Sequence, residues 1–600
     1  MRLQYKNNRL ERILIGVNAL AAAFVAATFV LLFGFYQPLL PKQELVLYAI
    51  QIFLLCVFIA EKVVRLFNAF SKLDFLGANW FEVPLLTGLV LAIFGAGRWF
   101  ATGPEEASAV RHLAVGIYLV IQVVTKLCRT CVNLAASGRS PTRTLIASFL
   151  FLIISGAGLL MLPRAAGQGK ESLRFVDALF TSTSATCVTG LIVKDTGRDF
   201  SLMGQVVILS LIQLGGLGIV VFGAIFALLL GQALSIRESV AMQDLLSART
   251  LNRIGNMIAF IFGGTVLFEA IGAVSLFPMW DDLPGKVASI HEQWFCSIFH
   301  SVSAFCNAGF SLFSDSFVAY GKSWGVYAVV CPLIVLGGLG FGVLYDLANI
   351  LADRAKRFFK RRFYKQYRLS MEAPKRMRLQ TKIVLTVSAI LIVLGAAVIM
   401  LFERYAVSGP AGQPVGLGGA FFQSITARTA GFNTVDISGL SAASKFVLIL
   451  LMFIGGSPGS TAGGIKTVTL AVVVMTAVTA LRKRSEVEMF GRSIRIAIVG
   501  RAITVTLLFA AVLFAATLAL SVTESANGFT MMEIMFEASS ALGTVGLTTG
   551  ITPELTDAGK LIIILVMLVG RLGPLTLLAA LTFDLKPAKY NYPDEAIVVG

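Results

Sequence analysis

Four short stretches of this chain carry residues suited to holding an ion with backbone oxygen alone. They are Val188-Thr189-Gly190, Asn307-Ala308-Gly309, Thr429-Ala430-Gly431 and Thr544-Val545-Gly546. Their glycines recur at spacings of 119, 122 and 115 residues, and Leu or Phe follows each one. Ten residues before each glycine stands a phenylalanine: Phe180, Phe299, Phe421 and Phe536. Glycine permits a backbone geometry that a side chain would obstruct. Four such strands around one axis can turn their carbonyls inward, and rings of carbonyls replace the hydration shell of a cation. The chemistry implied is cation binding, with no covalent step.

A second constellation lies in Gly455-Gly456-Ser457-Pro458-Gly459-Ser460-Thr461-Ala462-Gly463-Gly464, followed by Lys466. It interrupts an apolar segment at 444–481 that would be ~55 Å long as a continuous helix, nearly twice the hydrocarbon core. So much Gly and Pro cannot remain helical. Irregular backbone at that depth survives only against protein or water, so a flexible loop facing a cavity below the strands is expected. The spacing from Gly459 to Gly464 mimics a phosphate loop, but Ile465 intervenes and no strand precedes it, which argues against a nucleotide site. Arg571 sits mid-segment in LVMLVGRLGPLTL, where a charge is costly unless it faces water or a partner. Gly215-Gly216 and Gly337-Gly338 occupy the comparable stretch of the first two repeats, so Arg571 stands where a small residue is expected. It reads as a positive barrier in the pathway or as a structural cap on carbonyls. Arg428, inside the third strand, should point behind it toward an acid or carbonyls.

The elements that must position these groups follow from composition. Of 600 residues 56% are hydrophobic and only 14% charged, with mean hydropathy +0.82. Soluble globular chains carry nearer a quarter charged residues, so a polytopic all-α membrane protein is implied. Apolar segments of spanning length fall near 12–36, 44–68, 81–100, 109–128, 142–162, 203–231, 254–278, 322–350, 380–402, 444–481, 497–521 and 558–583. Shorter half-apolar stretches near 172–187, 289–306, 415–428 and 528–543 are re-entrant candidates. The result is four repeats of helix, pore helix, filter strand and helix around one pore, preceded by four further helices. The boundaries expected are 1–135 for the N-terminal bundle, then 136–232, 233–352, 353–481 (with the loop 455–464) and 482–585 for the repeats. A C-terminal tail covers 586–600.

The net charge of +17 has a simple address. Residues 353–382 hold twelve basic residues against Asp353 and Glu372, and 482–501 is also basic. With basic loops inside, both termini are cytoplasmic and the re-entrant stretches enter from outside. Anionic lipid is a natural neighbour for such loops, and nucleic acid is not an expected partner. The N-terminal apolar stretch is long enough to be a retained helix instead of a cleaved signal. Three His and seven scattered Cys, including the single Cys128–Cys131 pair, make no recognisable metal or redox signature. Glu269 has no partner by spacing, so an intramembrane enzyme is not supported. Asp195, Asp199, Asp315 and Asp436 follow the strands and could concentrate cations at a mouth, or simply build solvated loops.

The motifs TSTSATCVTGL (181–191), SAFCNAGFS (303–311), ITARTAGFNT (425–434), FIGGSPGSTAGGIKT (453–467) and YNYPDEAIVVG (590–600) resemble the Ktr/Trk/HKT superfamily of potassium transporters. The likeness is strongest to the bacterial Ktr-type membrane subunit and covers about 140–600. It implies that the four glycines are filter positions, that the 455–464 loop is a gate, and that Arg571 acts with it. All four positions being Gly implies potassium over sodium, with sodium a candidate activator. Thr544-Val545-Gly546 also resembles the start of the potassium-channel filter TVGYG. The resemblance further implies a homodimer in a bacterial inner membrane, with the C-terminal tail near the dimer contact. A cytoplasmic ring of nucleotide-binding regulatory subunits would lie beneath the gate.

Residues 1–135 lie outside that pattern. FIAEKVVRL (58–66) and NWFEV (79–83) resemble the second and third helices of a voltage sensor. The fourth segment, however, has only Arg111, Lys126 and Arg129, without the every-third-residue spacing a sensor needs. A degenerate sensor-like bundle and an unrelated stabilising bundle both fit. For the whole chain the alternative to a pore is an alternating-access symporter for a small solute, built on broken helices. Inverted repeats would mark it, whereas these repeats run parallel.

Overall fold

The computed structural model describes residues 7–35, 41–72, 82–95, 141–218, 254–282, 289–363, 375–406 and 415–574, with single positions near 114–122 and 576–578. Most of the fourth N-terminal segment, residues 219–253 and 364–374, and the C-terminal tail lie outside them. So do Cys128, Cys131, Arg111, Lys126 and Arg129.

The N-terminal block contributes α1 (Asn8–Phe33), α2 (Pro41–Asn68) and α3 (Glu82–Gly95). Asn7 caps α1 by accepting from the backbone N–H groups of Arg9 and Leu10. Arg65 on α2 pairs with Glu61 one turn earlier and with Glu11 on α1, so these two acids share one cation.

Four repeats follow. The first has outer helix α4 (Pro141–Leu160), pore helix α5 (Phe175–Thr186) and inner helix α6 (Leu202–Leu217). The second has α7 (Ile254–Leu276), α8 (Ile290–Phe305) and an inner helix in two pieces, α9 (Cys331–Leu339) and α10 (Phe341–Phe363). The third has α11 (Leu379–Tyr405), α12 (Leu417–Thr426) and an inner helix split into α13 (Ala442–Phe453) and α14 (Thr467–Leu481). The fourth has α15 (Ile496–Thr523), α16 (Met531–Gly543) and α17 (Asp557–Leu572).

Capping explains where the short helices begin. Ser201, Ser441 and Thr556 accept from backbone N–H groups in the first turns of α6, α13 and α17. Ser289 with Glu292 and Thr530 with Glu533 form reciprocal capping boxes on the pore helices α8 and α16.

The inner helices of the first, second and fourth repeats also stop early, whereas sequence reading expected an interruption only in the third, at 455–464. Among the described residues five helices are long and apolar enough to cross a membrane, or six if the bent pair α9–α10 is one span. The bend between these two is 103° and falls at Gly340, φ +88°. Gly218 (φ +79°) and Gly573 (φ +83°) end α6 and α17 in the same backbone conformation. A glycine in this conformation cannot continue a helix, so these three inner helices stop there.

The expected phenylalanine register also needs correction. Phe180, Phe299 and Phe536 are fully buried, but Phe421 is 40% exposed and it is Phe422 that fills the equivalent core position. The third repeat is one residue shorter between pore helix and glycine. The residue before the glycine donates to an oxygen five residues back in the other repeats (Thr189 to Ser184, Ala308 to Ser303, Val545 to Ser540). In the third, Ala430 donates to Thr426, only four back.

One element went unforeseen by sequence reading. Val487–Met489 and Arg492–Ile494 form an antiparallel hairpin in the basic stretch between α14 and α15. Its turn residues Phe490 and Gly491 both have positive φ, as a two-residue type I′ turn requires.

Candidate ion pathway

The four glycine strands converge into one closed ring. A Cβ placed on Gly190 would lie 2.4 Å from the carbonyl oxygen of Ala308, and one on Gly309 2.7 Å from that of Ala430. On Gly431 it would meet the Val545 oxygen at 2.3 Å, and on Gly546 the Thr189 oxygen at 2.2 Å. Each repeat thus abuts the next in the order one, two, three, four, one. No side chain fits at any of the four positions, which all have φ between +70° and +95°.

Two residues before each glycine the backbone is again left-handed: Val188 (+57°), Asn307 (+58°), Thr429 (+86°) and Thr544 (+49°). For β-branched Val and Thr this is a strained conformation, costing about 1–3 kcal/mol each, and strain of this kind gathers at functional sites. Thr189, Ala308, Ala430 and Val545 between them are not left-handed. Alternating hand turns successive carbonyls to one side of a strand. Thr189, Thr429 and Thr544 carry buried hydroxyl oxygens with no hydrogen-bond partner. The pore helices end one to three residues before these strands, placing their partially negative carbonyl ends at the ring. The arrangement can hold a dehydrated cation and offers little to an anion.

Below the ring lies the interrupted third inner helix. Its loop closes on itself: Ile454 and Ile465 bridge in parallel, and the backbone N–H of Thr467 donates to the oxygen of Gly456 at 3.0 Å. Gly459 (φ +70°) and Gly464 (φ +67°) make the turns, while a Cβ on Gly455 would lie only 2.0 Å from the Gly463 oxygen. The Ser460 hydroxyl donates to the Ser457 oxygen at 2.7 Å, and the Ser457 and Thr467 hydroxyls share a hydrogen bond of 3.2 Å. Lys466 donates to the oxygens of Ala462 (2.7 Å) and Gly463 (3.4 Å), so its charge serves the loop's own carbonyls.

The loop touches both the ring and the broken helix. A Cβ on Gly463 would strike Oγ1 of Thr544 at 2.1 Å, and the Asn307 side chain meets the Thr461 hydroxyl at 3.2 Å. The N–H of Ser457 donates to Gly338, and that of Phe341, just past the bend, donates to Gly459 at 2.9 Å. Arg571 completes the junction. Its guanidinium donates to the carbonyls of Thr461 in the loop and of Gly215 and Gly216 at the end of α6.

Other singled-out residues have structural surroundings. Arg428 points behind the third strand, as expected, but onto the Ser388 hydroxyl (3.1 Å) and carbonyl (3.4 Å) of α11, with no acid. Asp195 accepts from the N–H groups of Gly197 and Arg198, Asp436 from Ser438, and Asp199 pairs with Lys170. These three acids build loops. Glu269 gains partners that spacing could not show: Gln213 donates to it at 3.2 Å and the Cys306 thiol lies 3.9 Å away. The closure between the fourth and first repeats was also missed. Lys560 on α17 meets Asp177 on α5 at 2.7 Å, both side chains being buried. Among the described residues no group of three or more His, Cys, Asp or Glu could hold a metal ion.

A polytopic helical protein with four pore-helix repeats closing on a ring of backbone carbonyls belongs among cation transporters, not enzymes. The family model described as TrkH, cation transport protein, matches residues 112–591, and the chain belongs to that family. Potassium/sodium uptake protein NtpJ of Enterococcus hirae is 37% identical over 465 residues, 77% of this chain and 97% of that protein. Ktr system potassium uptake protein B of Bacillus subtilis is 36% identical over 468 residues, again 77% of this chain and 97% of that protein. The crystal structure of the potassium transporter TrkH from Vibrio parahaemolyticus shares the fold, with a TM-score of 0.56 at 18% identity, covering 84% of this chain and 96% of that one.

Proposed function

We propose that this chain mediates channel-like potassium uptake, the ion passing down its electrochemical gradient through the four-strand ring. The filter residues are Val188, Thr189, Gly190, Asn307, Ala308, Gly309, Thr429, Ala430, Gly431, Thr544, Val545 and Gly546, which bind K+ through backbone carbonyls. The observation that carries this reading is the closed contact order of the four glycines, each seated on the carbonyl of the next repeat. The loop 455–464 acts as the gate, held shut by Arg571, which also stands as a positive barrier in the path. Relatives named for potassium and sodium uptake support the choice of ion, and Na+ enters as an activator.

By the same reading the chain is a homodimer in a bacterial inner membrane, with both termini cytoplasmic and with the boundaries at 135, 232, 352, 481 and 585 given above. Names of the form "Ktr system" support a multi-component assembly. Its other component is a nucleotide-binding ring under the gate. The N-terminal helices form a sensor-like bundle that does not sense voltage. The parallel order of all four repeats disfavours alternating access.

The test is potassium uptake in cells lacking their own potassium transporters. Wild type restores growth at low potassium, and Gly190→Ser, which places a side chain against the Ala308 oxygen, loses potassium preference. Absence of cation flux in wild-type vesicles rejects the pore.

A further inference from the structure

One position per pore helix, directly after the buried phenylalanine, carries a buried polar side chain: Thr181, His300, Gln423 and Glu537. The one-residue deletion in the third repeat hides this equivalence in the sequence. These four do different things to the outer end of their strands.

Glu537 accepts three hydrogen bonds from the segment just beyond Gly546. The Thr548 hydroxyl and the backbone N–H of Thr549 (3.1 Å) reach one carboxylate oxygen, and the Thr552 hydroxyl (2.9 Å) reaches the other. His300 does the same in the second repeat with fewer contacts. Its Nε2 faces the Ser311 hydroxyl at 3.1 Å and accepts from the N–H of Leu312 at 3.4 Å, while Nδ1 donates to the Cys296 carbonyl at 2.8 Å. Ser311 and Thr548 stand two residues past their glycines, Leu312 and Thr549 three, so the two pins are equivalent.

The other two repeats lack a pin. Thr181 turns back to the Asp177 oxygen of its own helix, and the residues it would reach, Ile192 and Val193, offer no side-chain donor. Both amide atoms of Gln423 are buried without a hydrogen-bond partner. The third strand is held from the neighbouring repeat, Asn433 accepting from Phe317 and donating to Ser316. Since the ring order is one, two, three, four, the pinned strands face each other across the axis, as do the unpinned ones.

We propose that Glu537 and His300 are positioning residues for ion selectivity, two diagonal pins that fix the outer carbonyl spacing of the filter, with Glu537 the stronger. This rests on the filter reading above. A carbonyl ring whose radius is held resists collapse onto the smaller ion, which is one way such rings discriminate between cations. Three hydrogen bonds converging on one buried side chain restrain the fourth strand more than the fewer contacts of His300 restrain the second. Two rigid strands opposite one another set that radius, and the two between them follow.

The test is K+ and Na+ flux through the purified full chain in proteoliposomes. Glu537→Ala lowers the K+/Na+ flux ratio about tenfold or more, the scale of one or two lost hydrogen bonds, while potassium flux persists. Glu537→Gln stays near wild type, because its oxygen still accepts from Thr548 and Thr549, and its amide donates to Thr552, whose hydroxyl can turn to Thr548 at 2.9 Å. His300→Ala lowers the ratio less than Glu537→Ala, and Gln423→Leu leaves it unchanged. If Glu537→Ala does not fold, the double variant Thr548→Val/Thr552→Val removes two of the three donors and lowers the ratio in its place. An unchanged ratio in a folded, conducting Glu537→Ala or in the double variant overturns the proposal, as does a Gln variant as unselective as the Ala one. Wild type that moves neither ion rejects the filter reading itself, a result distinct from both.

Discussion

Arg571, on the inner helix of the fourth repeat, donates a hydrogen bond to the carbonyl of Thr461 at the centre of the loop that interrupts the third. The same guanidinium reaches Gly215 and Gly216 at the end of the first inner helix. One side chain therefore joins three repeats below the carbonyl ring. A planar fork with several donors suits this task, and an ammonium does not.

If Arg571 holds the gate shut as proposed, Arg571→Ala frees the loop and removes a positive charge from the path. Potassium flux in vesicles should rise on the order of tenfold, equivalent to lowering the barrier by about 1.4 kcal/mol. Arg571→Lys should fall between the two, since a single ammonium cannot hold both the loop and the first inner helix. Unchanged flux for the Ala variant, in protein with wild-type stability, sinks the gating role.

The ring is closed by a buried ion pair between Lys560 and Asp177, 2.7 Å apart and more than nine-tenths covered. Arg174, exposed beside it, adds contacts to Asp177 and Asp557 that water weakens. Removing one member of the buried pair strands the other charge. Lys560→Met or Asp177→Leu alone should cost about 3–5 kcal/mol, while the double variant should recover most of it. Thermal unfolding of the four proteins in detergent gives the cycle, and additive losses in the double variant refute the pairing.

Gly215 and Gly337 press against the ends of their own pore helices. A Cβ on either would lie 1.9 Å from a carbonyl oxygen, that of Thr186 or Phe305. These oxygens belong to backbone that cannot swing away, so Gly215→Ala and Gly337→Ala should each destabilise by about 1–3 kcal/mol or more. Gly158 has nothing within 4 Å of its would-be Cβ. Gly158→Ala is therefore the matched control, and its melting temperature should be unchanged or slightly raised.

Much of this arrangement was legible because it depends on residues with no substitute. The four repeat glycines and the Gly/Pro-rich loop announce backbone that other residues cannot adopt, so their spacing carried over into geometry. The strained positions were not legible in the same way. Val188, Thr429 and Thr544 are strand formers, and nothing local in the sequence announces left-handed backbone; the surrounding ring imposes it. The half-length inner helices of the first, second and fourth repeats read as full spans because hydropathy does not register a bend. Long-range partners such as Asp177 and Lys560, 383 residues apart, have no local sequence signal at all.

The clearest slip concerns Phe421 and Phe422. Two adjacent phenylalanines let a regular ten-residue offset match the wrong one, since a one-residue deletion moves the helix relative to the glycine without changing composition. The structure makes the distinction testable. Phe422 is fully buried and its ring lies 6.4 Å from that of Tyr327, whereas Phe421 is 40% exposed on the same short helix. Phe422→Ala should therefore cost about 3–5 kcal/mol by opening a cavity behind the third strand. Phe421→Ala should stay within about 1 kcal/mol, because a side chain facing lipid gains little from burial in protein. Thermal unfolding in detergent reads both, and potassium flux reads the consequence: only the Phe422 variant should loosen the strand that ends in Gly431. Equal losses for the two variants would restore the offset read from the sequence and undo the one-residue deletion.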